Sequence, residues 1–570
     1  MQNRDIAAIF YELADLMEIK GENPFEVRAY RNAARLIEGM GESLEEMVDQ
    51  GSDLTGLPGV GEKIAAKITE IVRTGKLQKL EKLKKEIPET LRSLLSIEGL
   101  GPKRVAMLYD KLHITDTAAL EAAAKKHAIS ALKGFGPKTE EAILKGVRLL
   151  KQEGIRHLYA EAEPIAQELV DYLRKGPGVS SVDVAGSFRR RKETVGDLDI
   201  LCIAATPSIV IDYFIRFGRV AEVISAGETR ATILLQNALQ IDLRALSEES
   251  YGAALHYFTG SKLHVIEVRK RAIDMGLKIN EYGVYRGDEA IAGRDEKEVY
   301  ASVGLRYIEP ELRENRGEIE AAAKGRLPDL ITRADLRGDL HMHTTYSDGM
   351  DTLEAMADKA KSLGYDYIAI TDHSPSMRVV RGMDARKAAD QIEAIDRYNE
   401  THEGLTILKG MEVDILEDGT LDMDPAILRE LDIVVAAIHT KFSLSKEAQT
   451  RRLRKAMDNP LVHVIAHPTG RLIGKRSPLS LHLHRIYRHA AENGVFLEIN
   501  SQPERLDLSD VNIIEAKEAG VRFTLSTDAH AAAQLEYIRY GINQARRGWI
   551  ERGDILNTAS LTALRKALKR

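Results

Sequence analysis

At 570 residues the chain is too long for a single hydrophobic core, and about 100 to 200 residues per domain implies about three to five domains. The hydrophobic share of 44% is ample for folded domains, while a formal net charge of −6 among 29% charged residues excludes bulk charge as a guide to partners. A lone cysteine, Cys202, excludes an intramolecular disulfide and fits a reducing compartment, and no apolar run approaches the ~18 residues of a membrane span.

The first segment, "MQNRDIAAIFYELADLME", is amphipathic and charged and lacks a signal core, so a soluble, cytoplasmic protein with no membrane partner is expected. Residues 1 to 150 read as all-helical. Apolar residues recur at three and four in "IAAIFYELADLMEI" and "FEVRAYRNAARLIEGM". Three stretches share one shape: "LPGVGEKIAAKI", "IEGLGPKRVAML" and "LKGFGPKTEEAI". Each carries Gly-x-Gly, a lysine two residues on, and a helix. Glycines allow close backbone approach to an anion while helix N-terminal N–H groups point at it, with a cation beside them. These stretches resemble helix-hairpin-helix motifs, which grip the DNA backbone without reading sequence. The resemblance implies DNA contacts at Gly59, Gly61 and Lys63, at Gly99, Gly101 and Lys103, and at Gly134, Gly136 and Lys138. A lysine run, Lys76, Lys79, Lys82, Lys84 and Lys85, is expected to extend that track.

From about 180 the pattern changes to short strands, "SVDVAG", "LDILCIAA", "ATILLQ" and "LQIDLRAL", with helices such as "AEPIAQELVDYLRK", as in a small α+β domain. The helix "LHVIEVRKRAIDMG" and hairpin "LKINEYGVYRG" follow. The charged stretch down to 335 has no core pattern and reads as a linker. From 336 onward "DYIAITDH", "LTILKGMEVDI", "LDIVVAAIHT", "LVHVIAHP", "VFLEINS" and "VRFTLSTDAH" alternate with helices, which argues for a parallel sheet of about seven strand–helix units closing into a barrel.

In "VAGSFRRRKETVGDLDILCIA" Asp197 and Asp199 are two apart on a strand, so both side chains leave one face while Leu198 and Ile200 enter the core. Asp242, in "LQIDLRAL", is a third. Converging carboxylates repel unless cations neutralise them, and oxygen-only ligands suit Mg²⁺. Together with "GSFRR", "IDLR" and "YFTGS" in this order, the chain resembles the X-family DNA polymerases, such as DNA polymerase beta, over residues 1 to about 315. The resemblance implies that Asp197, Asp199 and Asp242 are catalytic and bind two Mg²⁺ (or Mn²⁺), that Gly186, Ser187, Arg190 and Gly196 contact the nucleotide phosphates, and that Tyr257, Phe258 and Gly260 line the sugar. It places Lys67 at the Schiff-base position of a 5'-deoxyribose-phosphate lyase, with Lys63 beside the 5'-phosphate. Two departures stand out. Val265 replaces an asparagine that touches the base, with Lys262 as a substitute nucleotide contact, and Glu26 replaces a phosphate-holding lysine.

In the C-terminal region metal-type side chains end strand after strand: His341, His343 and Asp348, then His373, Glu412, His439, His467, Asp528 and His530. Functional groups of barrels collect at that face. The set resembles the polymerase and histidinol phosphatase (PHP) domain, a distorted barrel with a trinuclear metal centre. This implies up to three Mn²⁺ or Zn²⁺ ions, a phosphoesterase, and a phosphate anchor among Arg381, Arg471 and Lys441.

The expected fold is therefore multidomain: an N-terminal helical domain (1–88), a second helix-hairpin-helix subdomain (89–150), an α+β nucleotidyltransferase palm (151–250), a thumb (251–315), a linker (316–335) and an α/β distorted (β/α)7 PHP barrel (336–570). The expected function is a monomeric, nucleoid-associated DNA polymerase filling short gaps in base-excision repair from dNTPs on gapped or primer-template DNA, with 3'-5' exonuclease and AP-endonuclease chemistry in the barrel. The alternatives are a barrel acting on a small phosphate ester, and a DNA-binding scaffold with one inert site.

Overall fold

The structure is a computed structural model describing residues 3–40, 44–57, 59–97, 100–153, 155–376 and 380–569. It divides into two compact units, Met1–Arg156 with Leu235–Leu239, and His157–Leu234 with Gln240–Arg570.

The first unit is helical, as the three-and-four periodicity demands. Its core includes Ile6, Phe10, Leu13, Ile68, Ile71, Leu91, Val105 and Ile143, so one apolar cluster runs through residues on both sides of position 88. Among the described residues, the three Gly-x-Gly turns have the same hydrogen-bond pattern. Val60, Leu100 and Phe135 donate to the carbonyls of Leu57, Ile97 and Leu132, at 2.9–3.0 Å. The carbonyls of Gly61, Gly101 and Gly136 then accept from residues three and four ahead, opening the helices Glu62–Thr74, Pro102–Leu112 and Pro137–Glu153.

The second unit holds the palm, thumb and barrel. The palm sheet has five strands in the order Val179–Val184, Asp197–Ala204, Gln240–Leu246, Arg230–Leu235, Val220–Ala226. The two central strands run parallel, which places Asp199 directly opposite Asp242. The thumb packs the helices Tyr251–Thr259 and Lys262–Asp274 against a three-stranded sheet. The stretch 316–335 is built into this unit: Ile331 is fully buried, the helix Glu318–Ala323 buries Glu318 against His264, and Leu330 bridges to Glu551.

The barrel is a nearly closed seven-stranded parallel sheet in sequence order, from Gly338–Asp339 to Phe523–Ser526. A parallel bridge between Met342 and Ala529 joins the first and last strand regions. Strands such as Tyr367–Ile370 and Ile433–Ala437 are buried throughout, because parallel strands are covered on both faces. The following helices start at Thr352, Asp384, Ser445 and Ser509, whose side chains each accept a first-turn N–H.

Candidate active sites and DNA-contacting turns

In the palm, alternation along Asp197–Ala204 turns Asp197 and Asp199 outward and buries Leu198 and Ile200. The parallel register then brings Asp242 alongside Asp199. Asp242 is oriented by Thr232 Oγ1, which donates at 2.5 Å, and by Gln240 Nε2 at 2.8 Å. Burial, and then the charges of Asp197 and Asp242, push the Asp199 carboxyl up to about 7. A carboxylate trio so mutually repelling fits hard divalent cations, which supply the compensating charge.

Gly186 stands over this trio with φ +60°, and a Cβ there would collide with Asp199 Oδ2, so the turn admits only glycine. Ser187 lies in the short helix Gly186–Arg189 that follows, and Gly196 immediately precedes Asp197. Arg190 does not extend freely toward a triphosphate. Its Nε donates to Glu314 Oε1 at 3.0 Å and its Nη1 to the Thr259 carbonyl. Gly260, φ +71°, lies against the same guanidinium. The Tyr257 and Phe258 rings meet edge-on, 5.0 Å apart, under the guanidinium groups of Arg269 and Arg244. Lys262 is exposed in the first turn of its helix, whereas Val265 is buried.

In the helical unit Gly59 and Gly134 take positive φ, and Gly61 and Gly101 are the N-terminal caps of their helices. Lys63 is exposed and Lys67 half-buried on one helix, both close enough to Glu26 to lower its carboxyl behind its main partner, Lys79, 3.0 Å away. Glu26 therefore shares its charge with three lysines. Lys103 is exposed, Gly136 opens the third helix, and Gly99 and the Lys138 side chain lie outside the described residues. The lysine run is only partly a free track: Lys79 and Lys84 pair with Glu26 and Glu12, while Lys76, Lys82 and Lys85 line a surface groove.

In the barrel the nine side chains converge. Glu412, in the strand Thr406–Asp414, is the hub. Its Oε2 lies 3.5 Å from His341 Nε2, 3.6 Å from His343 Nε2 and 2.9 Å from His373 Nδ1. Its Oε1 lies 3.2 Å from His439 Nε2 and 2.9 Å from His467 Nε2. Asp528 Oδ1 lies 3.1 Å from His343 Nε2 and 3.6 Å from His341 Nε2. Asp348 is within 3.9 Å of His343, His373 and His530. Three groupings are close enough to hold an ion each: His343, Asp348, His373 and His530; His341, His343 and Asp528; His373, Glu412 and His439. Buried His341 Nε2 and His343 Nδ1 have no hydrogen-bond partner, as metal-facing nitrogens would. The donor set fits metal ions of the Mn²⁺ or Zn²⁺ type.

The charges compensate one another. Burial opposes protonation of His439 and His530, yet the neighbouring carboxylates raise them to about 10 and about 9. Burial, with the charges of His530 and His373, lowers His343 to about 3.

Sequence reasoning missed the carboxylates that orient these imidazoles. Glu498 accepts from His341 Nδ1 at 2.7 Å and from the His467 N–H at 2.7 Å, and Asp414 pairs with His439 Nδ1 at 2.7 Å. The available signal was Asp414 standing two residues beyond Glu412, and Glu498 in "FLEIN". Arg471 is turned away, donating to the carbonyls of Arg505 and Leu506 and to Glu193 of the palm. Lys441 pairs with Glu417 at the surface. Among the described residues Arg505 is a basic group beside the cluster, its Nε 3.7 Å from Asp528 Oδ2.

Family models match four parts of the chain: a helix-hairpin-helix domain at residues 1–77, a SAM-like helix-hairpin-helix tandem at 91–149, a DNA polymerase beta thumb at 254–314 and a PHP domain at 339–502. The chain is 38% identical over 574 residues to the DNA polymerase/3'-5' exonuclease PolX of Bacillus subtilis (strain 168), covering 100% of both chains. The barrel part is also similar to probable phosphatases of Thermoanaerobacter sp. (strain X514), 30% identical over 231 residues (39% of this chain, 89% of that protein), and of Acetivibrio thermocellus, 32% over 206 residues (35% and 80%).

Proposed function

The chain belongs to the PolX family of DNA polymerase/3'-5' exonucleases, and from that premise we propose that it fills short gaps during DNA repair and trims the 3' ends it extends. It is a DNA-directed DNA polymerase with 3'-5' exonuclease activity. The observation that carries the division of labour is the presence of two separate metal-fitting sites: the palm trio Asp197, Asp199 and Asp242, and the nine-residue barrel cluster.

Two Mg²⁺ or Mn²⁺ ions at the palm, and up to three Mn²⁺ or Zn²⁺ ions in the barrel, would supply charge stabilisation at the reacting phosphoryl groups. The chain's own residues do the rest. Backbone N–H groups of Gly186 and Ser187 cradle phosphate, with Arg190 adding a guanidinium and Gly196 letting the chain turn into the catalytic strand. Tyr257, Phe258 and Gly260 would wall the sugar, and exposed Lys262 would add a nucleotide contact. Gapped or primer-template DNA is held through phosphate by the Gly-x-Gly turns, at Gly59, Gly61 and Lys63, Gly101 and Lys103, and Gly134 and Gly136. Lys67, on the helix Glu62–Thr74, would carry lyase chemistry on the abasic sugar, with Lys63 binding its 5'-phosphate. In the barrel Arg505 holds the departing phosphate. The protein acts as a monomer on dNTPs and DNA, associated with the nucleoid; among the described residues no helix is long and apolar enough to cross a membrane.

The test is primer extension and 3' degradation on gapped DNA with Asp197→Ala and His341→Ala separately. Asp197→Ala abolishes synthesis and spares degradation; His341→Ala does the reverse. Loss of both activities with either change would rule out independent sites. The similarity of the barrel to probable phosphatases favours one second reading, hydrolysis of a small phosphate ester, which p-nitrophenyl phosphate turnover exceeding 3' degradation would select.

A further inference from the structure

One arginine of the barrel reaches the polymerase site. Arg547 ends the helix Ile538–Arg547, and its side chain is 1% exposed. Its Nη1 donates to the Arg190 carbonyl at 2.7 Å and to Glu314 Oε1 at 3.0 Å, and its Nη2 donates to Asp510 Oδ2 at 2.5 Å. The same Glu314 oxygen accepts from Arg190 Nε at 3.0 Å, and Asp510 Oδ2 also accepts from Arg316 Nη1 at 3.0 Å. Palm, thumb and barrel are thus joined by one alternating chain of charge: Arg190, Glu314, Arg547, Asp510, Arg316.

A second barrel arginine reinforces the contact. Arg471, four residues beyond His467, bonds Glu193 three residues beyond Arg190. The Tyr159 ring stacks on Phe188 at 4.7 Å and meets Tyr540 of the barrel edge-on at 6.2 Å. The barrel therefore holds the palm segment that carries the phosphate cradle at Arg190, at Glu193 and, through Tyr159, at Phe188.

The electrostatics give this grip a function. Three guanidinium groups bond two carboxylates in the chain, with Lys192 close enough to act on both carboxylates, and Glu314 divides its hydrogen bonds between Arg190 and Arg547. Without Arg547 the Glu314 oxygen it shares has Arg190 as its one bonded guanidinium, so Glu314 engages Arg190 more fully. A guanidinium fully engaged by a buried carboxylate is a poor phosphate ligand, because the pair must be broken before an incoming anion gains a contact.

We propose that Arg547 is a positioning residue of nucleotide addition, contributed by the exonuclease barrel, which shares Glu314 with Arg190 and so keeps the Arg190 guanidinium available to the incoming triphosphate. The inference rests on the reading of Arg190 as a phosphate contact. It makes the barrel part of the polymerase site as well as a nuclease, and it explains why a buried cation sits at the end of a barrel helix remote from the metal ligands.

The experiment is steady-state gap filling by the full-length protein, with 3' degradation as the readout of barrel integrity. Arg547→Met raises KM for dNTP about tenfold, with kcat changed by about twofold or less and degradation retained. Adding Glu314→Gln to Arg547→Met returns KM to within about threefold of the parent, since the carboxylate that captures Arg190 is gone. Arg547→Lys, which keeps the charge but loses the fork that bridges Glu314 and Asp510, raises KM less than Arg547→Met. Arg190→Ala raises KM at least as much as Arg547→Met. If Arg190→Ala leaves KM unchanged, the cradle reading and this inference both fall. If Arg190→Ala raises KM but Arg547→Met does not, only this inference falls. An Arg547→Met enzyme that loses synthesis and degradation in parallel, with no recovery from Glu314→Gln, overturns it as well by showing a general structural loss.

Discussion

The palm and the barrel solve the problem of concentrating ligands in opposite ways. The palm gathers three carboxylates that Arg244 and Arg190 only partly offset, so burial and like charge hold Asp199 at about 7. The barrel mixes imidazole and carboxylate, and each charge finds an opposite: Glu412 touches five histidines, and Asp348 is drawn down to about 2 against burial by His530, His343 and His373. One site is charge-frustrated as it stands; the other keeps its shape through its own ion pairs. A strained carboxylate trio suits a site that loads and releases metal–nucleotide at each turnover, whereas an interlocked cluster suits resident ions.

The strongest way to break this comparison is at the hub. Glu412→Gln removes the charge that five histidines share, and should cut 3' degradation by about a hundred- to a thousandfold while leaving primer extension intact. Metal content measured by atomic emission should fall in the same variant. A barrel that keeps its full metal complement after this change would show that Glu412 is not the organising ligand.

A smaller effect sharpens the difference between ligands and the residues that aim them. Glu498→Gln leaves all nine ligands in place but weakens the hold on His341 Nδ1 and on the His467 backbone, so degradation or metal affinity should drop by about ten- to a hundredfold. Restored activity at high added Mn²⁺ would mark the loss as one of affinity. The palm counterpart is milder still. Lys262→Ala, at an exposed first-turn position, should weaken dNTP binding by about three- to tenfold with little change in kcat, and an unchanged affinity by fluorescence titration would remove Lys262 from the site.

The contrast extends to how much of each site the chain displays before it folds. The convergence of the candidate barrel ligands is legible because parallel strands all end on one face, so a histidine or carboxylate closing "IAITDH", "VVAAIH", "VIAH" and "LSTDAH" announces a common destination. The pairing of Asp197 with Asp199 is legible because strand alternation is local. Their convergence with Asp242 is legible through the family resemblance and not from the local pattern, since the register of Asp199 on Asp242 joins strands separated by a helix and two further strands. Glu498 and Asp414 escaped notice because a carboxylate that orients a ligand has the same local pattern as a core-edge residue. Arg471 reads as a plausible phosphate anchor four residues after His467, but the fold turns it to Glu193. The stretch 316–335 reads as a linker because its charges mask an apolar pattern; in the fold those charges are partnered, Glu318 by His264 and Arg316 by Asp510.

What the sequence determined by itself was the identity and order of the chemical parts: three Gly-x-Gly turns before helices, an aspartate pair on a strand, and metal-type residues at successive strand ends. Those follow from periodicity and residue chemistry over a few positions. Only the tertiary structure decided which parts share charge. Arg190 meets Glu314, and Glu314 meets Arg547, across 357 positions between the two arginines, and no local pattern specifies a contact over such a span. Ion pairing inside a folded chain depends on distance and burial, and both are properties of the packed molecule.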